Sequence, residues 1–415
     1  MTQSKKIAII GFGLEGKALY KYFKNQPNTE IHIFDENEID APENLTKVHK
    51  GLNIPKDFDV AYKTPGIPTS KLQLASKDTK ISSLTNLFLE KTKGKVIGIT
   101  GTKGKGTITT LTDHILSNNG FKSVVVGNIG IPAIEYLKEE NEDTFYIYEM
   151  SSFQCEHLNK SPHVAVLNNI FPDHLNHHKN LEEYKKAKYK ITEFQTSEDY
   201  FINASDINIK TKAQQIKLIE ARSSKFETKL LGEYNQRNCS VAFEVAKILG
   251  IPEEKIREAI KTYEPLPLRL EKIEEVNGIT FYDDSLATIP EATLGSIQAL
   301  ENVNTIILGG SDKGSPLEDF AKELTKTSIQ NFIIFPTNGK EMVKYVKNDP
   351  NSKASKIIGQ GRQIFEANSM EEAVKFAYQN TKGICLMSTA AASFGLFKNY
   401  KDRSEQYQYW IKKLK

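Results

Sequence analysis

At 415 residues the chain is too long for one hydrophobic core and long enough for two or three domains of ordinary size. A hydrophobic content of 39% with 26% charged residues is that of an ordinary globular protein, and 55 basic against 52 acidic side chains leave a net charge of +3, which gives no case for nucleic acid as the main partner. No apolar stretch is long enough to span a membrane, and Cys155, Cys239 and Cys385 lie far apart without metal-ligand spacing, so they read as reduced thiols of a cytoplasmic protein.

The start, MTQSKKIAII, runs straight into a strand, so no secretory signal is expected. Short apolar runs then alternate with amphipathic segments along the whole chain, the pattern of parallel α/β domains. KIAIIGFGLEG reads as a buried strand, a glycine turn and a helix running to Phe23; IHIFDE is the next strand, ending at Asp35 and Glu36. Gly11-x-Gly13-x-x-Gly16 with Asp35 downstream matches the dinucleotide fingerprint, in which glycines allow a tight turn and close phosphate approach and the acid binds ribose hydroxyls. The same spacing also serves as a plain structural turn in a doubly wound sheet. The lysine-rich FLEKTKGK separates this part from the strand VIGIT and places a boundary near Gly94. Strands at SVVVG, FYIYEM and VAVLNN follow, closed by the helix NQRNCSVAFEVAKILG, whose glycine is a C-cap candidate. YEPLPLRLE, with two prolines, reads as a linker, and NTIILGG, NFIIFP and GICLMS give three further strands. The expectation is three α/β domains, 1–93, 94–265 and 266–415.

VIGIT leads into Thr100–Thr107, TGTKGKGT, and then a helix. Such a loop binds phosphate because backbone N–H groups and a helix N-terminus point at the anion while a lysine adds positive charge. The general pattern G-x-x-x-x-G-K-[ST] fails twice, since Ile99 stands at the first glycine and Gly106 at the hydroxyl. The other glycines, Lys105 and the strand-to-helix context remain, and phosphate binding is the reading. FYIYEM ends at Glu149, and a carboxylate at the carboxyl end of a strand beside the loop suits Mg2+. IFPDHLNHH brings Asp173 and His174 to another strand end. His174, His177 and His178 cluster as zinc ligands might be spaced, but no second Cys or His group completes a site. His174 is therefore read as a substrate or metal contact, and His177 and His178 as solvated. NLEEYKKAKYKITEF is a lysine-rich helix, most of whose lysines read as a solvated face.

These segments in this order resemble the Mur ligase family of ATP-dependent amino-acid ligases, nearest its D-glutamate-adding branch, over all three expected domains. TGTKGKGT resembles the family's TGT-x-GK-[ST]-T loop, GNIGIP at 127–132 its glycine-asparagine turn, YEMSSFQ its E-x-SSFQ strand end and DHLNHH its DH-x-D segment. YKKAKYKI is similar to the helix holding a carbamylated lysine, which would be Lys188. GEYNQRN resembles G-x-HN-x-x-N, LRLE resembles HR-x-E, and DDSLAT resembles NDSKAT. GGSDKG is similar to a GG-x-DKG loop, and SFGLFKNYKDR to the C-terminal SFD-x-FKN-[FY]-x-x-R stretch. Each segment alone is weak; the ordered set over the whole length is specific.

The resemblance implies a Rossmann-like N-terminal domain, a central P-loop-type ATPase α/β domain and a C-terminal Rossmann-like α/β domain. It reassigns the first glycine turn from a dinucleotide to the UDP of a substrate, with Leu14, Glu15, Asp35, Glu36 and the TPGIP turn from Thr64 near uridine and phosphates. It implies that ATP phosphorylates the carboxylate of UDP-N-acetylmuramoyl-L-alanine and that D-glutamate attacks the acyl phosphate, chemistry that needs charge neutralisation more than a nucleophilic side chain. Lys105 would bind the β- and γ-phosphates, with Gly101, Thr102, Lys103, Gly104, Gly106 and Thr107 in the cradle. Glu149 would ligate Mg2+, His174 would contact a second Mg2+ or the muramoyl substrate, and Lys188 as a carbamate would be a carboxylate-like metal ligand. Asn235 and Asn238 would lie near adenine, Arg269 and Asp284 would hold phosphate and ribose, and Asn128 would touch the pyrophosphate or sugar. Thr288, Lys313, Ser393, Phe394 and Tyr400 would grip glutamate. A cytoplasmic monomer of peptidoglycan precursor synthesis, with no nucleic-acid or membrane partner, is implied.

The chain departs from the family's pattern at five places. Gly106 removes a hydroxyl expected on Mg2+, which Thr107 or water must replace; Tyr234 and Leu268 stand where the family has His; Leu286 replaces the lysine of NDSKAT, and Gly395 the Asp of SFD. The alternatives are a superfamily ligase adding another amino acid such as L-glutamate, and a Mur-like nucleotide-binding protein without catalysis. A folylpolyglutamate synthase-like enzyme would begin with its ATP domain, and an NAD-linked dehydrogenase leaves the loop at residue 100 unexplained.

Overall fold

A computed structural model describes residues 4–40, 47–76, 79–138, 142–174, 177–205, 207–218, 225–311, 317–346 and 362–415. The chain divides into two compact units. The first comprises Met1–Ile170, His177–Glu227 and Asn238–Lys261; the second comprises Phe171–Asn176, Thr228–Arg237 and Thr262–Lys415.

Two parallel sheets make up the first unit. Lys5–Ile10 is apolar on both faces, with Ile7, Ala8, Ile9 and Ile10 fully buried, as a parallel strand covered on both sides must be. Its five-stranded sheet has the order Val48–Lys50, Thr29–Asp35, Lys5–Ile10, Val60–Lys63, Lys80–Ser82. Chain order reverses between Lys5–Ile10 and Val60–Lys63, so the crevice at their carboxyl ends, where Gly11 and Thr64 follow, is the ligand position of an open α/β sheet.

The other sheet has six parallel strands in the order Gln214–Lys217, Tyr200–Asn203, Val164–Leu167, Lys95–Thr100, Phe145–Glu149, Ser123–Gly127. Here the reversal falls between Lys95–Thr100 and Val164–Leu167, which brings the segments beginning at Gly101 and Asn168 to one crevice. Helix Leu84–Lys91 starts at Ser83, whose hydroxyl accepts from Asn86 N at 3.1 Å. Its Phe88 meets Tyr146 and Tyr148 edge-on at 5.0 and 5.9 Å. One hydrophobic cluster thereby runs from Ile7 and Ile9 through Leu84, Leu87 and Phe88 to Val96 and Ala165. That shared core makes two sheets into one unit.

The second unit is built on the six-stranded sheet Glu271–Val276, Ile279–Asp283, Ile384–Met387, Val303–Leu308, Asn331–Ile334, Gln363–Glu366. It is parallel except for the first pair, a hairpin turned by Asn277 and Gly278 with φ of 49° and 79°, the left-handed pair that a tight hairpin turn needs. Successive residues serve opposite faces. Ile306, Leu308, Phe332 and Ile334 cluster with Phe320 and Leu324 of helix Glu318–Thr325. Ile307, Ile333 and Phe335 join Met370, Val374, Tyr407 and Ile411 of helices Met370–Asn380 and Tyr400–Lys412. Helices on both faces explain why these strands read as unbroken apolar runs. Among the described residues no helix is long and apolar enough to cross a membrane; Cys155, Cys239 and Cys385 are buried free thiols.

Candidate active site

The strand Lys95–Thr100 turns through Gly101 into helix Lys105–Asn118, whose N-cap is Gly104 at φ +82°. A Cβ on Gly104 would stand 2.6 Å from Asn168 Nδ2 and closer still to Asn238 Oδ1, so both conformation and space demand glycine. The loop is held from the end of the neighbouring strand. Asn169 O accepts from Thr102 N at 2.8 Å and Asn169 Oδ1 from Lys103 N at 2.8 Å. The side-chain amides of Asn168 and Asn169 both donate to Lys103 O, at 2.8 and 3.0 Å. Sequence reasoning left these two asparagines without a role; the available signal was a polar pair directly after the buried run VAVL. Asn238, expected at the adenine, accepts from Asn168 Nδ2 at 3.2 Å and so lies against the loop.

Lys105 Nζ donates to Gly101 O and Thr102 O, both at 3.0 Å. Lys188 Nζ donates to the same Gly101 O at 2.8 Å and sits 4.7 Å from the ring centre of Tyr184. Two lysine side chains thus converge on one loop carbonyl at a helix N-terminus, a setting for a strongly anionic ligand. Helix Leu181–Glu193 is capped by Asn180, which accepts from Glu183 N at 2.9 Å. Lys188 is 1% exposed while Lys185, Lys186 and Lys190 all reach solvent, so the solvated-face reading holds for its neighbours and not for it. Gly106 and Thr107 are buried in the first turn of Lys105–Asn118.

Glu149 ends the strand on the other side of Lys95–Thr100 and is 4% exposed. Its Oε1 accepts from Asn128 Nδ2 at 2.7 Å, and its backbone O from Asn128 N at 3.0 Å. Its Oε2 is buried with no hydrogen-bond partner, as is Asn168 Oδ1. A buried carboxylate oxygen without a donor calls for a ligand. Thr100 links this strand end to Lys188, since its hydroxyl donates to Met150 O at 2.8 Å and lies 3.4 Å from Lys188 Nζ. Mg2+ takes one or two carboxylates together with waters and substrate phosphates, so a single poised carboxylate beside a phosphate loop fits it. Among the described residues no three His, Cys, Asp or Glu side chains converge as a metal cage.

The histidines following Asp173 divide. Neither His177 nor His178 lies fully in solvent: His177 is half-buried, while His178 is 2% exposed, its Nε2 is 2.9 Å from Ser152 Oγ, and its ring meets Tyr184 edge-on at 5.4 Å. His177 packs on Phe153 at 4.0 Å. Burial and the neighbouring His178 lower the His177 pKa to about 4, and burial lowers that of His178 as well. The short helix Ser152–Cys155 supplies the aromatic and hydroxyl partners that draw both rings inward. His174 belongs to the second unit. Its backbone is left-handed at φ +56°, its N–H donates to Asp173 Oδ1 at 2.9 Å, and its ring is 38% exposed.

At the Gly11 turn, Asp35 shapes the backbone: Oδ2 accepts from Phe12 N at 2.8 Å and Oδ1 from Asn37 N at 2.9 Å. Thr64 Oγ1 donates to Ile10 O at 2.9 Å, and Glu36 pairs with Lys71 at the surface. Leu14 stands exposed at the head of helix Leu14–Phe23. Glu15, next in the helix, accepts from Gln154 Nε2 at 2.8 Å on Oε1, while its Oε2 is buried without a partner. Burial raises this carboxyl to about 7, against the pull of Gln154 and Lys63.

In the second unit a cavity of about 360 Å³ brings Asn235 and Arg269 together, with Leu231, Pro267 and Tyr282 in its wall. Asn235 Nδ2 donates to Leu231 O at 2.7 Å, and Arg269 Nε is buried without a partner. Both oxygens of Asp284 are engaged internally, by Leu270 N at 3.2 Å and by the hydroxyls of Ser296 and Ser388 at 2.6 and 2.8 Å, which anchors the backbone that carries Arg269. Burial raises the Asp284 carboxyl to about 6 in spite of those bonds. Ser393 is buried, Thr288 partly so, and Phe394 and Tyr400 are exposed. Arg403, the last residue of SFGLFKNYKDR, was not singled out from sequence. It is fully buried and donates to Ser285 O at 2.7 Å and Ala391 O at 3.3 Å, tying the segments that carry Thr288 and Ser393. Lys313 lies outside the described residues.

Residues 99–217 match the family described as Mur ligase middle domain. The chain is 31% identical over 465 aligned positions to the UDP-N-acetylmuramoylalanine--D-glutamate ligase of Thermoanaerobacter sp. (strain X514), with 100% of this chain and 99% of that one covered. Its fold is similar to that of MurF from Acinetobacter baumannii, with a TM-score of 0.63 at 13% identity over 98% of this chain and 93% of that chain. It is also similar to that of MurF ligase from Thermotoga maritima in complex with ADP, with a TM-score of 0.59 at 15% identity over 100% and 96%. At such identities the structural likeness speaks for the fold.

Proposed function

Because the chain belongs to the Mur ligase family, we propose that it is the ATP-dependent ligase that joins D-glutamate to UDP-N-acetylmuramoyl-L-alanine in cytoplasmic peptidoglycan precursor synthesis. The observation that carries this is the crevice in which Lys105 and Lys188 meet at Gly101 O beside Glu149 with its buried, unpartnered oxygen. Lys105 and the loop N–H groups supply positive charge and donors for a triphosphate, Glu149 supplies a carboxylate for its metal, and Lys188 stands beside them as the side chain that a carbamate would turn into a second anionic ligand, which is what phosphoryl transfer to a bound carboxylate requires.

In the proposed reaction the N–H groups from Gly101 to Thr107 and Lys105 hold the β- and γ-phosphates. A carboxylate oxygen of the alanyl substrate attacks the γ-phosphorus, the bond to the β–γ bridging oxygen breaks, and ADP leaves an acyl phosphate. The amine of D-glutamate then attacks the acyl carbon, loses a proton and expels inorganic phosphate. Mg2+, when held by Glu149, would neutralise phosphate charge, and a carbamate on Lys188 would offer it a second anionic oxygen. His174 would meet the muramoyl substrate or a second Mg2+. Asn235 and Arg269 would take adenine and phosphate, Asn128 the pyrophosphate or sugar, and Leu14, Glu15, Asp35 and Thr64 the UDP. Thr288, Lys313, Ser393, Phe394 and Tyr400 would receive D-glutamate. The name of the Thermoanaerobacter relative and the ADP of the Thermotoga structure support this reading. Domains at 1–93, 94–265 and 266–415 and a monomeric chain complete it.

Phosphate release is expected only when UDP-N-acetylmuramoyl-L-alanine, ATP, Mg2+ and D-glutamate are all present. Release with L-glutamate instead would keep the ligase and change its product, and Leu286 and Gly395 at the acceptor end make that arm informative. No release with any amino acid would remove catalysis and leave a nucleotide-binding protein.

A further inference from the structure

One buried polar cluster in the first unit has no part in the reaction as drawn. The side chain of Lys63, the last residue of strand Val60–Lys63, is only 1% exposed. Its Nζ donates to Ile67 O at 2.9 Å and lies 3.3 Å from Glu156 Oε2. Glu156 is the C-cap of helix Ser152–Cys155. Its Oε1 accepts from Thr69 Oγ1 at 2.8 Å, and His157 Nε2 is 2.9 Å from the same hydroxyl. Thr69 has one proton and gives it to Glu156, so His157 Nε2 is the donor in the second contact. Lys63 and Thr69 flank the Thr64–Pro68 turn on either side. Both ends of that turn are therefore tied to one carboxylate from the neighbouring sheet's elements.

A buried ion pair is weak evidence for stability, since apolar residues of similar volume often serve as well; its better-attested use is to fix one geometry. The geometry at stake is close by. Thr64 Oγ1 donates to Ile10 O and leaves no room for a Cβ on Gly11. A shift of the Thr64–Pro68 turn is thus passed directly to the Gly11 turn. A second tie runs in parallel, from Gln154 of the same short helix to Glu15 at the head of Leu14–Phe23.

We propose that Lys63 and Glu156 are positioning residues, whose ion pair latches the Thr64–Pro68 turn against the Gly11 turn in the shape that receives the nucleoside diphosphate of the substrate. This rests on reading that crevice as the UDP site. The latch acts through the backbone of the turn and reaches no reacting atom.

Two readouts on the full chain test it: amide hydrogen exchange over 62–72 without ligand, and separate KM values for UDP-N-acetylmuramoyl-L-alanine and ATP. Glu156→Gln and Lys63→Met should each speed exchange of the turn and raise the KM for the nucleotide sugar roughly tenfold, with kcat and the KM for ATP within about twofold, because misplaced binding groups tax one substrate only. The double variant Lys63→Met/Glu156→Leu leaves no uncompensated charge, so its thermal midpoint should return towards wild type while exchange and KM stay raised. Recovery of exchange and KM together with the midpoint would reduce the pair to ordinary packing and overturn the latch, as would unchanged exchange in all three variants. Faster exchange in the variants, with no nucleotide-sugar turnover in the wild type, would keep the latch and remove the ligase reading.

Discussion

Glu15→Gln probes the N-terminal crevice through a single charge. The amide has the volume of the acid and its oxygen can still accept from Gln154 Nε2, so packing and that bond are kept. Glu15 Oε2 is buried with no donor, and burial holds the carboxyl at about 7 where an ordinary glutamate titrates at 4.5. The folded chain thus keeps this proton to a higher pH than the unfolded chain. Linkage then sets the sign: there is no penalty below pH 4.5, stability falls as pH climbs towards 7, and the loss is complete above it. At ~1.4 kcal/mol per pH unit the ceiling is ~3 kcal/mol, and solvent reaching part of the side chain lowers it. Glutamine suffers no such loss. Urea unfolding followed by circular dichroism should therefore give equal stabilities for the two proteins at pH 4.5. At pH 8 the variant should be ahead by about 1–3 kcal/mol. Titrating groups that do not face Glu15 act equally in both and cancel in the difference; Lys63 and Tyr148, which feel its charge, do not. Parallel stability curves across this range would mean that the fold does not hold the proton on Glu15, and the enclosed carboxyl oxygen would need another explanation.

Gly104→Ala forces a left-handed backbone on an L-residue, at roughly 1–2 kcal/mol, and drives a methyl against Asn168 and Asn238; calorimetry should show ADP affinity down by at least about tenfold, and unchanged affinity would separate the loop from the nucleotide. Glu149→Gln keeps an acceptor for Asn128 but loses the anion, so the half-saturating Mg2+ for phosphate release should rise about tenfold or more; an unaltered Mg2+ profile would detach Glu149 from the metal. Lys188→Ala should abolish phosphate release and regain part of it with acetate or another short carboxylic acid, whereas full activity without rescue removes the carbamate. Gly106→Ser should lower the Mg2+ requirement by restoring a hydroxyl beside the phosphates, and no change would show that Thr107 or water already serves.

Features confined to one segment were legible before any fold was known. The apolar runs of Lys95–Thr100, Phe145–Glu149 and Val164–Leu167 announce parallel strands because both faces are covered. Glu149 could be placed beside the loop because a strand end brings it there. The hairpin Glu271–Val276 to Ile279–Asp283 was within reach and was missed: its first strand, EKIEEV, is mostly charged and only partly buried, and that obscured the Asn277-Gly278 signal. What could not be read were groups whose state depends on a partner far along the chain. Glu15 is placed near the UDP by the resemblance, but its bond to Gln154, 139 residues away, belongs to the packed fold. His177 and His178 looked solvated until Ser152, Phe153 and Tyr184 were placed around them. Lys63 makes the reason plainest. A lysine after VAY reads as a strand end reaching water, because an isolated buried ammonium is too costly to expect. Glu156 supplies the paired charge that makes its burial tolerable, alongside the bond to Ile67 O, and Glu156 becomes its neighbour only when the ends of two different sheets are set side by side. Motifs record what a ligand needs from consecutive residues; the network that aims them is a property of the packed fold, and mutations there should move binding geometry before they move chemistry.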